Sequence, residues 1–423
     1  MMIMESLYKI YLQYPIICTD TRNIKKNSLF FCLKGENFDG NQFAEEALHQ
    51  GAAHVITEDI RFQNKKNFTV VSNTLETLQQ LALYHRRKLS IPIIGITGTN
   101  GKTTTKELTA AVLKRKFNIA YTQGNLNNHI GVPLTLLSIS QDTEIAIVEM
   151  GANHLGEIAE LCKIVEPDYG IITNIGTAHI EGFLSYKNII ATKKALYQSV
   201  INKNGTLFVH QPDEILTQGL NYSKIIYYGD ENTPNLKGKV IDMNPTLTLS
   251  LVGKTFSTAL IGAYNISNME CAAAVGCYFG ISEENIATAL STYIPSNNRS
   301  QVIISGTNTI IADYYNANPS SMHVALQNFW LLKASQKLVI LGEMKELGTL
   351  SEIEHKQIIE ECVQHQVQAF FIGEEFYKHR SISEFHYFLS LAEAQQYIQE
   401  NPIDHHLILI KGSRGVHLEK LQI

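Results

Sequence analysis

The run Ile93-Ile-Gly-Ile-Thr-Gly-Thr-Asn-Gly-Lys-Thr103 restricts the fold of this chain more than any other segment. Its first four residues read as a buried β-strand, and helical character resumes at Thr104. A strand that feeds a glycine loop at a helix N-terminus leaves several backbone N–H groups pointing at one spot. The helix dipole adds positive potential there, so the spot suits phosphate oxygens. Lys102 is placed to reach terminal phosphates and Thr103 to hold Mg²⁺. Gly98, Thr99, Asn100, Gly101, Lys102, Thr103 and Thr104 are therefore the candidate nucleotide-binding residues. The loop is shorter than G-x-x-x-x-G-K-[ST], because Ile96 occupies the first glycine position.

A loop of this kind belongs on a parallel sheet covered by helices, and the rest of the chain has the matching rhythm. Apolar runs at Ile145–Val148, Gly170–Thr173 and Thr206–Val209 alternate with helical stretches. Before them, Ser28–Leu33, His54–Thr57 and Phe68–Val71 predict a smaller α/β unit. Between Lys237 and Leu260, short alternating runs predict antiparallel strands, followed by a small-residue helix through Ala272–Ala274. A hairpin over Gln301–Asp313, turned at Gly306–Asn308, opens a last unit with strands at Lys337–Leu341, Ala369–Ile372 and Leu407–Ile410. The expected fold class is α/β in three domains, at residues 1–90, 91–295 and 296–423, which fits a length of 423 residues.

Composition narrows the function classes. With 18% charged residues and 44% hydrophobic ones, the chain should fold compactly. A net charge of −5 provides no basic field for nucleic acid, and the triplets at residues 86–88 and 114–116 read as solvated helix faces. The six cysteines show no C-x-x-C spacing and read as reduced thiols. Residues 1–19 lack the pattern of a secretory signal, and no run reaches the ~18 apolar residues of a membrane span. A cytoplasmic protein without membrane insertion is expected.

Two further strand ends offer metal ligands. Glu149 follows the strand at Ile145–Val148, where a carboxylate faces the ligand crevice of an open α/β sheet. The next strand delivers Thr173-Asn-Ile-Gly-Thr-Ala-His179. Imidazole is a poor first choice for so hard an ion as Mg²⁺, and chemistry alone leaves His179 undecided.

Taken together, these segments resemble the Mur ligase family, the ATP-dependent amino-acid ligases of peptidoglycan synthesis. The family pattern Gly-Thr-Asn-Gly-Lys-Thr falls on Gly98–Thr103, and its metal-binding Glu and His fall on Glu149 and His179. Its frequently carbamylated lysine lies four residues before an aromatic. That spacing puts it at Lys193 in Thr192-Lys-Lys-Ala-Leu-Tyr197, with Lys194 as the rival. The resemblance thus implies ATP, two Mg²⁺ ions held through Thr103, Glu149, His179 and a carbamylated Lys193, and catalysis by Lys102, Lys193, His179 and Glu149. Asn265 and Asn268 in Gly262-Ala-Tyr-Asn-Ile-Ser-Asn268, together with Arg299 and Asp313, match residues that approach ATP.

Within the family, three stretches favour the branch that adds D-alanyl-D-alanine to UDP-N-acetylmuramoyl-tripeptide. They are Asp313-Tyr-Tyr-Asn-Ala-Asn-Pro-Ser-Ser-Met322, Leu341-Gly-Glu-Met-Lys-Glu-Leu-Gly348 and Lys411-Gly-Ser-Arg-Gly415. The Asp-Asn-Pro-Arg tetrapeptide of the sister ligase that adds diaminopimelate is absent. Substrate contacts are implied at Thr21, Arg22, Lys34 and Gly35 in the UDP-sugar unit, and at Asn127 and Asn128 in Asn125–Pro133. Asn316, Asn318, Lys411, Ser413 and Arg414 are implied near the amine. The implied reaction passes the γ-phosphate to the tripeptide carboxylate, and the dipeptide amine then attacks the acyl phosphate. A monomer is expected. The rivals are the sister ligase, a folylpolyglutamate-synthase-like enzyme, and a nucleotide-binding regulator without ligase activity.

Overall fold

The computed structural model describes residues 2–423 except positions 297 and 383. It is an α/β molecule built on three parallel or mainly parallel sheets. The first sheet has four parallel strands, in the order Ile16–Cys18, Ser28–Phe31, His54–Thr57 and Phe68–Val70. The central sheet has six parallel strands, ordered Ile225–Tyr228, Thr206–His210, Tyr169–Ile172, Ile93–Thr97, Ile145–Glu149 and Ile119–Tyr121. The chain first builds outward on one side of Ile93–Thr97 and then returns to build the other. The phosphate loop therefore leaves the sheet at the topological switch point, where open α/β sheets bind ligands.

Antiparallel strands Lys239–Met243, Thr246–Leu251 and Lys254–Ile261 form a small separate sheet. They lead into the helix Ile266–Tyr278, which packs on the phosphate-loop helix Lys102–Leu113 so closely that a Cβ at Gly276 would lie 2.6 Å from Val112. The last sheet orders Gln301–Ser305, Asn308–Asp313, Leu407–Lys411, Lys337–Gly342, Gln368–Ile372 and His386–Phe388, and only its first strand is antiparallel. Its hairpin turns at Gly306, where φ is +56°.

The first two units share a core. Leu7 and Tyr11 of the helix Met2–Gln13, and Leu78 and Leu81 of the helix Thr74–Arg86, bury against Val132, Leu136 and Ile158. Polar contacts reinforce this seam. Tyr11 Oη donates to the Leu137 carbonyl at 2.8 Å, and Arg86 donates to the Val165 carbonyl at 2.9 Å and to Asp168 at 2.7 Å. Among the described residues no helix is long and apolar enough to cross a membrane.

Candidate active site

The geometry of the phosphate loop demands its glycines. At Gly98, φ is +151° and a Cβ would lie 1.9 Å from Thr173 Oγ1; at Gly101, φ is +77° and a Cβ would lie 2.7 Å from Asn268 Oδ1. The segment after the neighbouring strand braces the loop. Thr99 N–H donates to the Asn174 carbonyl at 3.0 Å, and Thr173 Oγ1 donates to the Asn100 carbonyl at 2.6 Å. Lys102 folds over the loop and donates to the carbonyls of Gly98 at 2.8 Å and Thr99 at 3.0 Å. Burial pushes its pKa down to about 8, with Arg299 acting in the same direction and Glu149 opposing.

Lys193 approaches from behind the loop, on the helix Tyr186–Asn202, and donates to the Gly98 carbonyl at 2.9 Å. Burial drives its pKa well below the lysine range, and the charge of Lys102 adds to the shift. Lys194 turns away and donates to the Gln218 carbonyl at 3.1 Å.

Glu149 ends its strand with only 1% of its surface exposed. Its carboxylate accepts from Thr103 Oγ1 at 3.0 Å and from Asn127 Nδ2 at 2.8 Å. Behind it stands Lys106, fully buried, with Nζ donating to the Thr122 carbonyl at 2.6 Å and lying 3.8 Å from Glu149 Oε2. Sequence reasoning passed over Lys106. The available signal was its place four residues after Lys102, on the same helix face. Carboxylate and hydroxyl oxygens suit a hard cation, so Thr103 and Glu149 fit Mg²⁺. Among the described residues, though, no three His, Cys, Asp or Glu side chains are grouped as a metal cage. His179 lines the cleft and meets the Glu346 carboxylate through Nδ1.

The two asparagines of the nucleotide segment are buried in a chain of bonds. Thr105 Oγ1 donates to Asn268 Oδ1 at 2.9 Å, Asn268 Nδ2 to Asn265 Oδ1 at 2.9 Å, and Asn265 Nδ2 to the Ile261 carbonyl at 2.8 Å.

The last unit closes the opposite wall of a cleft of 1140 Å³. Asp313 and Lys411 end adjacent parallel strands in register and pair at 2.6 Å. Arg299 stacks over the Tyr315 ring at 3.8 Å, while its Nε is buried without a protein partner. Asn318 caps the helix Pro319–Leu331, and its Nδ2 donates across the cleft to Asn100 Oδ1 at 2.9 Å. Asn100 Nδ2 in turn donates to Ser320 Oγ at 2.9 Å. Asn128 and Asn316 also line the cleft.

Other candidates stand apart from it. Ser413 is buried and accepts from the Lys345 N–H at 3.0 Å, and Arg414 is exposed with its guanidinium 5.7 Å from the ring centre of the cleft residue Tyr315. In the first unit, Arg22 pairs with Asp20 at 2.7 Å and Lys34 with Glu58 at 2.8 Å. Thr21 opens a short 3₁₀ turn, and Gly35 lies in a two-residue strand. None of these six residues lines the cleft.

This arrangement, a phosphate loop in one sheet facing charged strand ends of another, matches known proteins along nearly the whole chain. Residues 13–96 match the Mur ligase family catalytic domain, 96–276 the Mur ligase middle domain, and 298–414 the Mur ligase glutamate ligase domain. A Bacillus subtilis protein named UDP-N-acetylmuramoyl-tripeptide--D-alanyl-D-alanine ligase is 34% identical over 96% of this chain and 92% of its own length. The chain belongs to the Mur ligase family. Among solved Mur ligases, MurF from Acinetobacter baumannii superposes with a TM-score of 0.83 at 29% identity, covering 96% of this chain and 92% of that one. MurF from Thermotoga maritima in complex with ADP gives a TM-score of 0.83 at 25% identity, covering 97% and 96% of the two chains. The three-domain α/β architecture of this Mur ligase is the one those structures share.

Proposed function

We infer that this chain uses ATP to join D-alanyl-D-alanine to UDP-N-acetylmuramoyl-tripeptide, giving UDP-N-acetylmuramoyl-pentapeptide, ADP and phosphate. The observation that carries this reading is the shared cleft, in which a phosphate loop and a second α/β unit meet through Asn100, Asn318 and Ser320. The names of the relatives and solved structures supply the substrates.

A carboxylate is a poor electrophile, and transfer of the γ-phosphoryl group to the tripeptide's terminal carboxylate creates a leaving group. The dipeptide amine then adds to the acyl carbon, the C–N bond forms, phosphate departs and the amine loses a proton. Phosphoryl transfer needs charge neutralisation and positioning more than covalent help. Lys102, resting on carbonyls of its own loop, exchanges those bonds for terminal phosphate oxygens. The Thr103 hydroxyl and the Glu149 carboxylate, with His179 and a carbamylated Lys193, would hold Mg²⁺, which when bound neutralises phosphate charge. Burial of Lys193 beside Lys102 favours its neutral amine, the form that adds CO₂, and the carbamate so made would face a cation instead of adding a second one. Arg299, Asp313, Asn265 and Asn268 would complete the nucleotide site. Asn127, Asn128, Asn316, Asn318 and Lys411 line the route to the reacting centre, with Ser413 and Arg414 behind it. Thr21, Arg22, Lys34 and Gly35 would serve the UDP end. The units at 1–90, 91–295 and 296–423 would then divide sugar nucleotide, ATP and amine among them, in a cytoplasmic monomer.

Phosphate release measured with ATP, UDP-N-acetylmuramoyl-tripeptide and a panel of amines tests the assignment. Turnover should require both the tripeptide and an amine, with D-Ala-D-Ala used far better than L-Ala-L-Ala or free D-Ala. Efficient use of diaminopimelate or lysine on the UDP-dipeptide, with no turnover of D-Ala-D-Ala, would move the chain to the sister activity.

A further inference from the structure

The stretch Leu341–Gly348 has no role in the chemistry above, yet it places one carboxylate against the candidate metal site. Glu346 reaches from the last unit to His179 Nδ1 in the central one, 167 residues away in sequence. Both residues adopt left-handed backbone, with φ of +61° at Glu346 and +51° at His179, a conformation that side-chain-bearing residues hold only when their surroundings enforce it. The surroundings here do so. Met344 and Leu347 are buried at 1% and 4% exposure, the Met344 N–H donates to His355 Nε2 at 2.9 Å, and the Lys345 N–H donates to Ser413 Oγ at 3.0 Å. Gly348 rests against Glu181, where a Cβ would lie 3.6 Å from the Glu181 Cβ.

A carboxylate accepts and does not donate, so Nδ1 of His179 carries the hydrogen, and in the neutral ring the lone pair sits on Nε2. That is the tautomer a metal-binding histidine needs, with ring and orientation set by a carboxylate behind it. The contact adds little to stability, because the Glu346 side chain is 58% exposed and such pairs are screened. We propose that Glu346, reaching from the last unit, is a positioning residue that sets the His179 ring for metal binding. This inference rests on the ligase reading and on His179 as a Mg²⁺ ligand.

The test combines Glu346→Ala, Glu346→Gln, His179→Ala and the double variant His179→Ala/Glu346→Ala, each checked for an unchanged melting temperature. Mn²⁺ binding is read by electron paramagnetic resonance in the presence of a non-hydrolysable ATP analogue, and ligation is assayed alongside. Removal of a residue that orients a metal ligand typically lowers metal affinity or activity by about 10- to 100-fold. Glu346→Ala should weaken Mn²⁺ binding and lower kcat within that range while leaving KM for the UDP-tripeptide unchanged. Glu346→Gln should recover part of the loss, since its amide oxygen still accepts from Nδ1. The double variant should be no worse than His179→Ala, because Glu346 acts through that ring. Wild-type Mn²⁺ affinity and kcat in Glu346→Ala, or additive losses in the double variant, would overturn the proposal. Failure of the wild-type protein to ligate D-Ala-D-Ala in the same assay would instead overturn the functional reading, and unaltered Mn²⁺ binding by His179→Ala would remove the histidine from the metal site.

Discussion

The candidate residues of the central cleft and those of the first unit differ in what they lean on. Around the phosphate loop, Thr103, Lys193, Glu149 and Asn268 are buried and each shares its hydrogen bonds with another element, while Lys102 folds back on its own loop. In the first unit, Arg22 is exposed and bonded to Asp20 two residues away, where the guanidinium holds the Asp20 carboxyl down at about 2. Lys34 likewise reaches only Glu58 across its own unit. Buried polar groups are costly to leave unpaired, and removing one disturbs its neighbours. Exposed pairs are screened by water and independent of one another. The comparison teaches that substitutions in the cleft should act on the chemical step and spread, whereas those in the first unit should act on substrate binding and stay local.

The largest effect is expected at Lys102. Lys102→Ala should lower kcat by at least roughly 10²- to 10³-fold, the scale for loss of one donor aimed at transition-state charge. Near-normal product formation would break the phosphate-loop assignment. Lys193→Ala should cost about 10²-fold on the same footing and be partly restored by short carboxylic acids, while Lys194→Ala stays active. An essential Lys194 with a dispensable Lys193 would reverse the assignment.

A third prediction takes the cost of burial away from the chemistry. Glu270, on the helix that carries Asn268, is 4% exposed and accepts from the Gly238 N–H at 2.6 Å. Burial raises its pKa from the ordinary 4.5 to about 7, against the pull of that bond and of Lys237. Between those values the folded chain holds more protons at this site than the unfolded chain does, so Glu270 makes stability fall as pH rises through the window, by up to roughly 1.4 kcal/mol per pH unit. Glu270→Gln should flatten that slope in denaturant melts at pH 5, 6 and 7. An unchanged slope would place the titration elsewhere. The smallest effect belongs to the exposed Arg22, where Arg22→Ala should leave stability nearly unchanged. It should raise KM for the UDP-tripeptide without altering kcat. A fall in kcat would blur the contrast between the two regions.

Local pattern carried much of the fold. The strand Ile93–Thr97, the strand that ends at Glu149, the antiparallel run after Lys237 and the hairpin turned at Gly306 are all legible in sequence, because alternation, glycine turns and strand-to-helix switches are short-range signals. The edge strands Ile119–Tyr121 and Ile225–Tyr228 are three and four residues long, too short for a periodic signal. The helix Met2–Gln13 buries fully only Leu7 and Tyr11 among its described residues, with Met4, Tyr8 and Ile10 packed partly against the same core. The signal for Lys106, its place four residues after Lys102, is weak for another reason: a lysine on a helix reads as solvated until the element covering it is known.

By itself the sequence determined an α/β chain with a nucleotide loop and a family of ligases to which that loop belongs, since residue spacing and loop chemistry are written in consecutive positions. Tertiary structure alone decided that the chosen Lys193 bonds the Gly98 carbonyl and that a buried Lys106 stands behind Glu149. It also decided that Asn100 meets Asn318 and that Glu346 meets His179. Each of these depends on where helices and strands from distant parts of the chain come to rest. That placement follows from burial of apolar faces over the whole molecule and not from any local run of residues.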